Sequence, residues 1–203
     1  MRKLLIALGC ALVAVTGCAP STANSADEPT PSGTAAAPSE PATGDPSLCP
    51  AEFGAPDSSV AADKRLPDVT LVCLTADKKL KLNGAPGVPT VVNFWAAWCA
   101  PCRTEMPILE QFYTAAAGKV QVLGVVTSDT RSAATSFVAD ESVTFPNVLD
   151  TSGQVVKKTG LMGLPNSILI DAKGKIVATH VGPFKDAAEL RETVKKDLGV
   201  DVQ

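Results

Sequence analysis

Two cysteines three residues apart, Cys99 and Cys102, stand in the stretch VVNFWAAWCAPCRTEMP, residues 91–107. A Cys-x-x-Cys pair can hold a metal, close a structural bridge, attach a haem or exchange disulfides with other proteins. Structural zinc takes four ligands, and this chain has one histidine and no second Cys-x-x-Cys, so zinc would have to recruit Cys49 and Cys73. Covalent haem attachment needs histidine directly after the second cysteine, where this chain has Arg103. An inert bridge of such short span constrains the unfolded chain little. Redox exchange fits the setting best. An apolar run precedes the pair and a helical pattern follows it, so Cys99 falls at a helix N-terminus, where unpaired N–H groups and the helix dipole favour a thiolate. Thiols so placed have pKa values lowered to roughly 3.5–7.5. Cys99 is then the attacking sulfur, and Cys102, one turn on and deeper, resolves the mixed disulfide.

The elements that must position this pair are legible as an α/β pattern. TVVNFWAAW is the near-continuous apolar run of a central strand covered on both faces. Met106, Leu109, Phe112 and Tyr113 then recur at helical spacing, with Gly118 placed to end the helix. KVQVLGVVTS reads as the next buried strand. A helix with Ala133, Ala134, Phe137 and Val138 on one face follows, then a short strand in VTFPNVLD and a helical segment over residues 152–159. SILIDAKGKIVATHVG reads as two strands joined by an Ala-Lys-Gly turn, ahead of a last helix with Leu190, Val194 and Leu198 at four-residue intervals. VTLVCL and KLKLNG add a hairpin or short strands at the front, with Asn83-Gly84 as turn chemistry. This order predicts a central mixed sheet flanked by helices, its first half crossing over right-handedly.

NFWAAWCAPC, with Pro107 five residues beyond Cys102 and GLPNSILID downstream, resembles thioredoxin-fold proteins of the TlpA and ResA type, including the CcmG-like thiol-disulfide oxidoreductases. The resemblance covers residues 66–199. It implies a thioredoxin-like fold with an N-terminal strand or hairpin extension, and membrane-tethered thiol-disulfide exchange outside the cytoplasm. It further implies client proteins such as apocytochrome c, and a membrane thiol-disulfide carrier as electron donor. No cofactor beyond the cysteines is expected. Pro165 matches the family's cis-proline, which would abut the cysteines and present the Leu164 backbone to an incoming peptide; a strand-start proline is the alternative. Trp98 precedes the first cysteine as in the family and would shield the site, or simply pack. Glu105 matches an active-site glutamate of the ResA branch that moves protons to and from the buried thiol, although a glutamate in any first turn also suits the helix dipole. Asn93 stands where ordinary thioredoxins carry a buried aspartate, which shifts acid-base work toward Glu105. Pro107 removes an N–H inside the helix, as in the family.

The N-terminus reads as an address. Arg2 and Lys3 precede an apolar run too short to span a bilayer comfortably, the pattern of a signal peptide over residues 1–17. Val15-Thr16-Gly17-Cys18 looks like a bacterial lipobox, which implies lipidation of Cys18 with more than one acyl chain; an ordinary signal peptide with a chance cysteine is the alternative. Cys10 would be lost on cleavage. Residues 18–47, rich in Ala, Pro, Ser and Thr, read as a disordered tether with a reach of roughly 30 Å, and residues 48–203 as the folded domain. The net charge of −3 carries no nucleic-acid footprint, and without Arg2 and Lys3 sixteen basic residues face 21 acidic ones. Lipid rather than charge would then hold the domain at a bacterial membrane.

Cys49 and Cys73 remain as an even pair, expected to form a structural disulfide in an oxidising compartment; a second redox relay is the alternative. His180, in the terminal strand, is expected away from the motif, structural or exposed. The direction of electron flow is left open, since Ala100-Pro101 does not fix a reduction potential. Oxidation of secreted proteins is therefore an alternative to reduction, with a non-catalytic metal or haem-handling lipoprotein and a peroxidase of related fold behind it.

Overall fold

The apolar runs between residues 90 and 181 supply five strands of one seven-stranded sheet in the computed structural model, which describes residues 44–203. The expected leader, Cys18 and most of the tether lie outside the described residues. The elements are β1 (Thr70–Cys73), β2 (Lys79–Lys81), β3 (Thr90–Trp95), α1 (Ala100–Ala116), β4 (Gln121–Thr127), α2 (Arg131–Asp140), β5 (Asn147–Asp150), α3 (Gln154–Thr159), β6 (Asn166–Ile170), β7 (Ile176–Val181) and α4 (Ala187–Leu198). The sheet order is β2-β1-β5-β4-β3-β6-β7. β3, β4 and β5 are parallel, while β1, β6 and β7 join antiparallel. Among the described residues, no helix is long and apolar enough to cross a membrane.

Alternation along β3 sends its side chains into two cores. Val91 and Trp95 join Met106, Leu109 and Phe112 of α1 and Leu190 and Val194 of α4. Val92 and Phe94 face the opposite layer, with Leu71, Leu80, Val125, Val155 and Ile168. All six β3 residues are therefore buried, as a strand covered on both faces requires. Trp95 Nε1 donates to Asn147 Oδ1 at 2.9 Å, reaching across β4. Only glycine fits beneath that bond: a Cβ at Gly124 would stand 1.8 Å from Asn147 Oδ1 and 2.7 Å from Trp95 Nε1.

α1 ends at Ala116, with Ala117 (φ 47°) as its left-handed cap and Gly118 (φ 80°) directly after it, as the expected glycine stop requires. One local expectation is corrected. Ala133 is exposed rather than core-facing, and Arg131 takes a buried place on the inner face with Ala134, Phe137 and Val138. The capping hydroxyl of Thr130 accepts from the Ala133 N–H at 3.2 Å and sets this phase. Arg131 is satisfied by the chain itself. Its Nη1 donates to the carbonyls of Cys73 (2.9 Å) and Leu74 (2.6 Å), fixing the end of β1 against α2.

Cys49 and Cys73 are joined in a disulfide, with Cα atoms 5.5 Å apart. Gly44 packs on Thr75, whose hydroxyl donates to the Asp45 carbonyl at 2.8 Å, so the last residues of the expected tether lie against the hairpin. Closing a loop of 24 residues removes chain entropy from the unfolded state worth about 3 kcal/mol. The double substitution Cys49→Ala, Cys73→Ala should therefore lower the unfolding free energy read from urea titration by about that amount. The far-UV circular dichroism spectrum should be unchanged, because Arg131 still holds β1.

Candidate active site

β3 runs out at Trp95, and the chain turns through Ala96, Ala97 and Trp98 before α1 begins. Three contacts fix this turn: the Ala97 N–H donates to Asp129 Oδ2 (2.6 Å), Trp98 Nε1 to the Ser128 carbonyl (3.1 Å), and Arg103 Nη1 to the Ala97 carbonyl (3.3 Å). The Arg103 guanidinium also lies over the Phe137 ring, 4.6 Å from its centroid. Cys99 is the N-cap of α1, and its Sγ accepts from the Cys102 N–H at 3.3 Å. The two cysteines are joined in a disulfide, with Cys102 the more deeply buried. The helix continues through Pro107 to Ala116. Trp98 does not pack into a core; it is 63% exposed beside the cysteines.

The Leu164-Pro165 peptide bond is cis. Pro165 directly precedes Asn166, which pairs with Phe94, so it stands beside the end of β3 where the redox turn starts. Leu164 packs against the cluster that contains both cysteines. Asn166 Nδ2 donates to the Gly163 carbonyl at 2.8 Å, and the Gly182 N–H donates to the Pro165 carbonyl at 3.1 Å, pinning the segment on both sides. Met162, 86% exposed, projects from the same segment.

Beneath the cysteines, Glu105 is 1% exposed. The Phe184 N–H donates to its Oε1 (2.8 Å) and Asn93 Nδ2 to its Oε2 (3.0 Å). Burial pushes the Glu105 carboxyl up to about 7, against the opposing pull of those two hydrogen bonds. Asn93 also donates to Ser167 Oγ at 3.0 Å, its register partner on β6. Ser167 in turn pairs with His180 on β7, and the His180 ring stacks on Phe184 with centroids 3.9 Å apart. The histidine expected away from the motif therefore belongs to the row of residues around Glu105. Ser167, Phe184 and Asp129 were not predicted. A polar residue within the apolar run of β6 was the available signal for Ser167; Phe184 acts through its backbone and leaves none.

The redoxin family matches residues 61–197. The chain belongs to that family. It is 33% identical over 120 residues to the thiol-disulfide oxidoreductase ResA of Bacillus thuringiensis subsp. konkukian, covering 59% of this chain and 69% of the relative. A protein from Chlorobium tepidum assigned as thiol:disulfide interchange protein DsbE has the same fold, with TM-score 0.59 and 31% identity over 69% of this chain and 99% of its own. The exposed lipoprotein thioredoxin Etrx1 of Streptococcus pneumoniae superposes with TM-score 0.55 at 25% identity, over 64% and 99% of the two chains. This redoxin is a thiol-disulfide oxidoreductase with a thioredoxin-like fold.

The raised Glu105 value has a stability consequence with a definite sign. The unfolded chain loses this proton near the usual 4.5, the folded chain near about 7. Between those values the folded state holds more protons, so stability falls as pH rises through the window, by up to about 3 kcal/mol. Glu105→Gln should remove this slope from urea unfolding free energies measured between pH 4.5 and 7.5. It should leave the variant relatively more stable at the upper end.

Proposed function

We propose that this redoxin reduces disulfides of client proteins outside the cytoplasm, with Cys99 as nucleophile, Cys102 as resolving thiol and Glu105 as the proton acceptor for Cys102. The observation that supports this most directly is the stacking of functions along one helix. An N-capping cysteine heads α1, its partner lies one turn on, and a buried carboxyl poised at about 7 stands one turn further.

The Cys99 thiolate attacks one sulfur of a client disulfide, and the other client sulfur leaves as a thiolate that takes a proton from solvent. The Cys102 thiol passes its proton to the Glu105 carboxylate. Its sulfur then attacks Cys99 Sγ, breaking the mixed disulfide and releasing the second client thiolate, which is protonated in turn. Two electrons have moved from the pair to the client, and the Cys99–Cys102 disulfide remains. In the mixed disulfide the client lies across Leu164 and Pro165 with Trp98 at its side, and the Cys102 N–H that points at Cys99 Sγ stabilises the attacking thiolate.

Clients such as apocytochrome c, and a membrane thiol-disulfide carrier that re-reduces the pair, complete the proposed cycle. The signal-peptide pattern and the Val15-Thr16-Gly17-Cys18 box support lipid anchoring through Cys18, with the expected tether of residues 18–47 joining the catalytic domain where residues 44–47 pack on the hairpin. The likeness to a solved lipoprotein of the same fold agrees with that placement. Cys49–Cys73 serves as a structural bridge.

The equilibrium potential of the Cys99–Cys102 pair against glutathione decides the direction. A value near −270 mV, about that of thioredoxin, supports reduction, whereas a value near about −120 mV makes the protein an oxidase that inserts disulfides. Cys102→Ser should accumulate client mixed disulfides through Cys99 on non-reducing gels, and Cys99→Ser should accumulate none. Trapping through Cys102 instead would reverse the assignment.

A further inference from the structure

Glu105 lies between two hydrogen-bond partners of different kinds. The Phe184 backbone N–H on Oε1 can only donate, so Oε1 stays an acceptor whether or not the carboxyl carries a proton. A proton on Glu105 therefore belongs on Oε2, which faces Asn93. In the arrangement seen, Asn93 Nδ2 donates to Oε2 and to Ser167 Oγ, both at 3.0 Å, while Asn93 Oδ1 is buried without a hydrogen-bond partner. That pattern serves the carboxylate. Once Oε2 is protonated it becomes an O–H facing an N–H, donor against donor.

Exchanging the two ends of the Asn93 amide by a half-turn about χ2 removes the conflict. Oδ1 then occupies the place of Nδ2, within reach of Oε2 and Ser167 Oγ, and its two lone pairs accept from both. The Ser167 hydroxyl accepts in the first arrangement and donates in the second, which a rotating O–H can do and an N–H or a carbonyl cannot. Asn93 and Ser167 are fully buried, so neither can turn to bulk water for a replacement partner. The ionisable groups on the surrounding elements include Cys102 and Arg103 on α1, His180 on β7, Lys185 and Asp186 beyond Phe184, and Arg191 on α4. β3 and β6 carry none, and Glu105 hydrogen-bonds only to Phe184 and Asn93.

We propose that Asn93 and Ser167 form a donor–acceptor switch for Glu105. Asn93 Nδ2 binds the carboxylate with Ser167 accepting, and Asn93 Oδ1 binds the acid, protonated at Oε2, with Ser167 donating. Both are positioning residues: they give the Glu105 carboxyl a matched partner in each protonation state in a dry site, while the end of the Asn93 amide that faces away from Glu105 has no partner in either arrangement. The proton comes from the Cys102 thiol in turnover and from solvent in a titration. The switch deepens the proposed role of Glu105 and rests on that reading for its place in turnover.

The test is an NMR titration of the oxidised protein with labelled asparagine side chains. Above the Glu105 midpoint, the Asn93 amide protons should show a nuclear Overhauser effect to the Ser167 β protons. Below it that effect should vanish, because the amide has turned away. An effect of constant intensity through the Glu105 titration overturns the switch. In a second arm, Ser167→Ala deprives the carboxylate arrangement of an N–H acceptor while the acid arrangement keeps its main bond. It should therefore raise the proton affinity of Glu105 about tenfold, and Ser167→Thr should restore it. An unchanged midpoint in Ser167→Ala also overturns the switch. The exchange rate of Glu105→Gln is measured separately: a normal rate sinks the proton role of Glu105 and leaves the amide result standing.

Discussion

A carboxyl buried beneath a disulfide is the constraint around which this domain is arranged. Taking Glu105 out of water opposes its ionisation, and only hydrogen bonds delivered from elsewhere in the chain hold the ionised form within reach of neutral pH. Those bonds come from β3, through Asn93, and from the segment after β7, through Phe184. Sheet order makes this possible. β6 returns antiparallel beside β3 instead of continuing the parallel series, which brings Ser167 opposite Asn93 and sets His180 in the next place on the row. The same return carries Pro165 to the end of β3. One topological step therefore supplies both the polar floor around Glu105 and the proline segment at the rim.

The redox turn is held by contacts that do not involve the cysteines. Asp129 grips the Ala97 N–H and the Ser128 carbonyl takes the Trp98 indole, so the loop between β4 and α2 sets the approach to Cys99. Two residues on from Asp129, Arg131 grips the end of β1 and with it the Cys73 side of the second disulfide. A short run of residues thus connects the N-terminal hairpin to the turn before Cys99, through hydrogen bonds to backbone groups. The hairpin extension is consequently part of the scaffold of the site as well as a cover for the sheet edge at β5.

Features that depend on local sequence were legible before any coordinates. The thiol pair, the buried β3, the helix behind it and the β6–β7 hairpin follow from residue spacing and apolar runs. Pro165, Glu105 and Asn93 were found through family resemblance, and their partners were not. Ser167 lies 74 residues from Asn93 and Phe184 lies 79 from Glu105, and such separations are closed by strand register that no local pattern encodes. His180, read as structural or exposed, is half-buried and stacked on Phe184, and its place in the row beside Ser167 is set by pairing across β6. Ala133 was misassigned because helical periodicity gives a spacing but not a phase, and the phase came from the Thr130 cap. Arg131 was invisible as a core residue because charged side chains are normally exposed; here carbonyl partners make its burial tolerable.

The amide at Asn93 separates this site from one built on paired carboxyls. Two carboxylates in a common dry site cannot both ionise readily, and their protons then belong to the pair and to neither group alone. An amide beside Glu105 leaves a single titrating group and keeps the total charge of the floor at zero or minus one. It also brings a donor and an acceptor on one rotatable plane, so the same side chain can match either protonation state. The surface above is under no such demand. Trp98 and Met162 are exposed and apolar, suited to contact a polypeptide without fixing its protons. In the proposed cycle, client contact and proton handling fall on the two sides of the Cys99–Cys102 bond. The disulfide and the first turn of α1 stand between them.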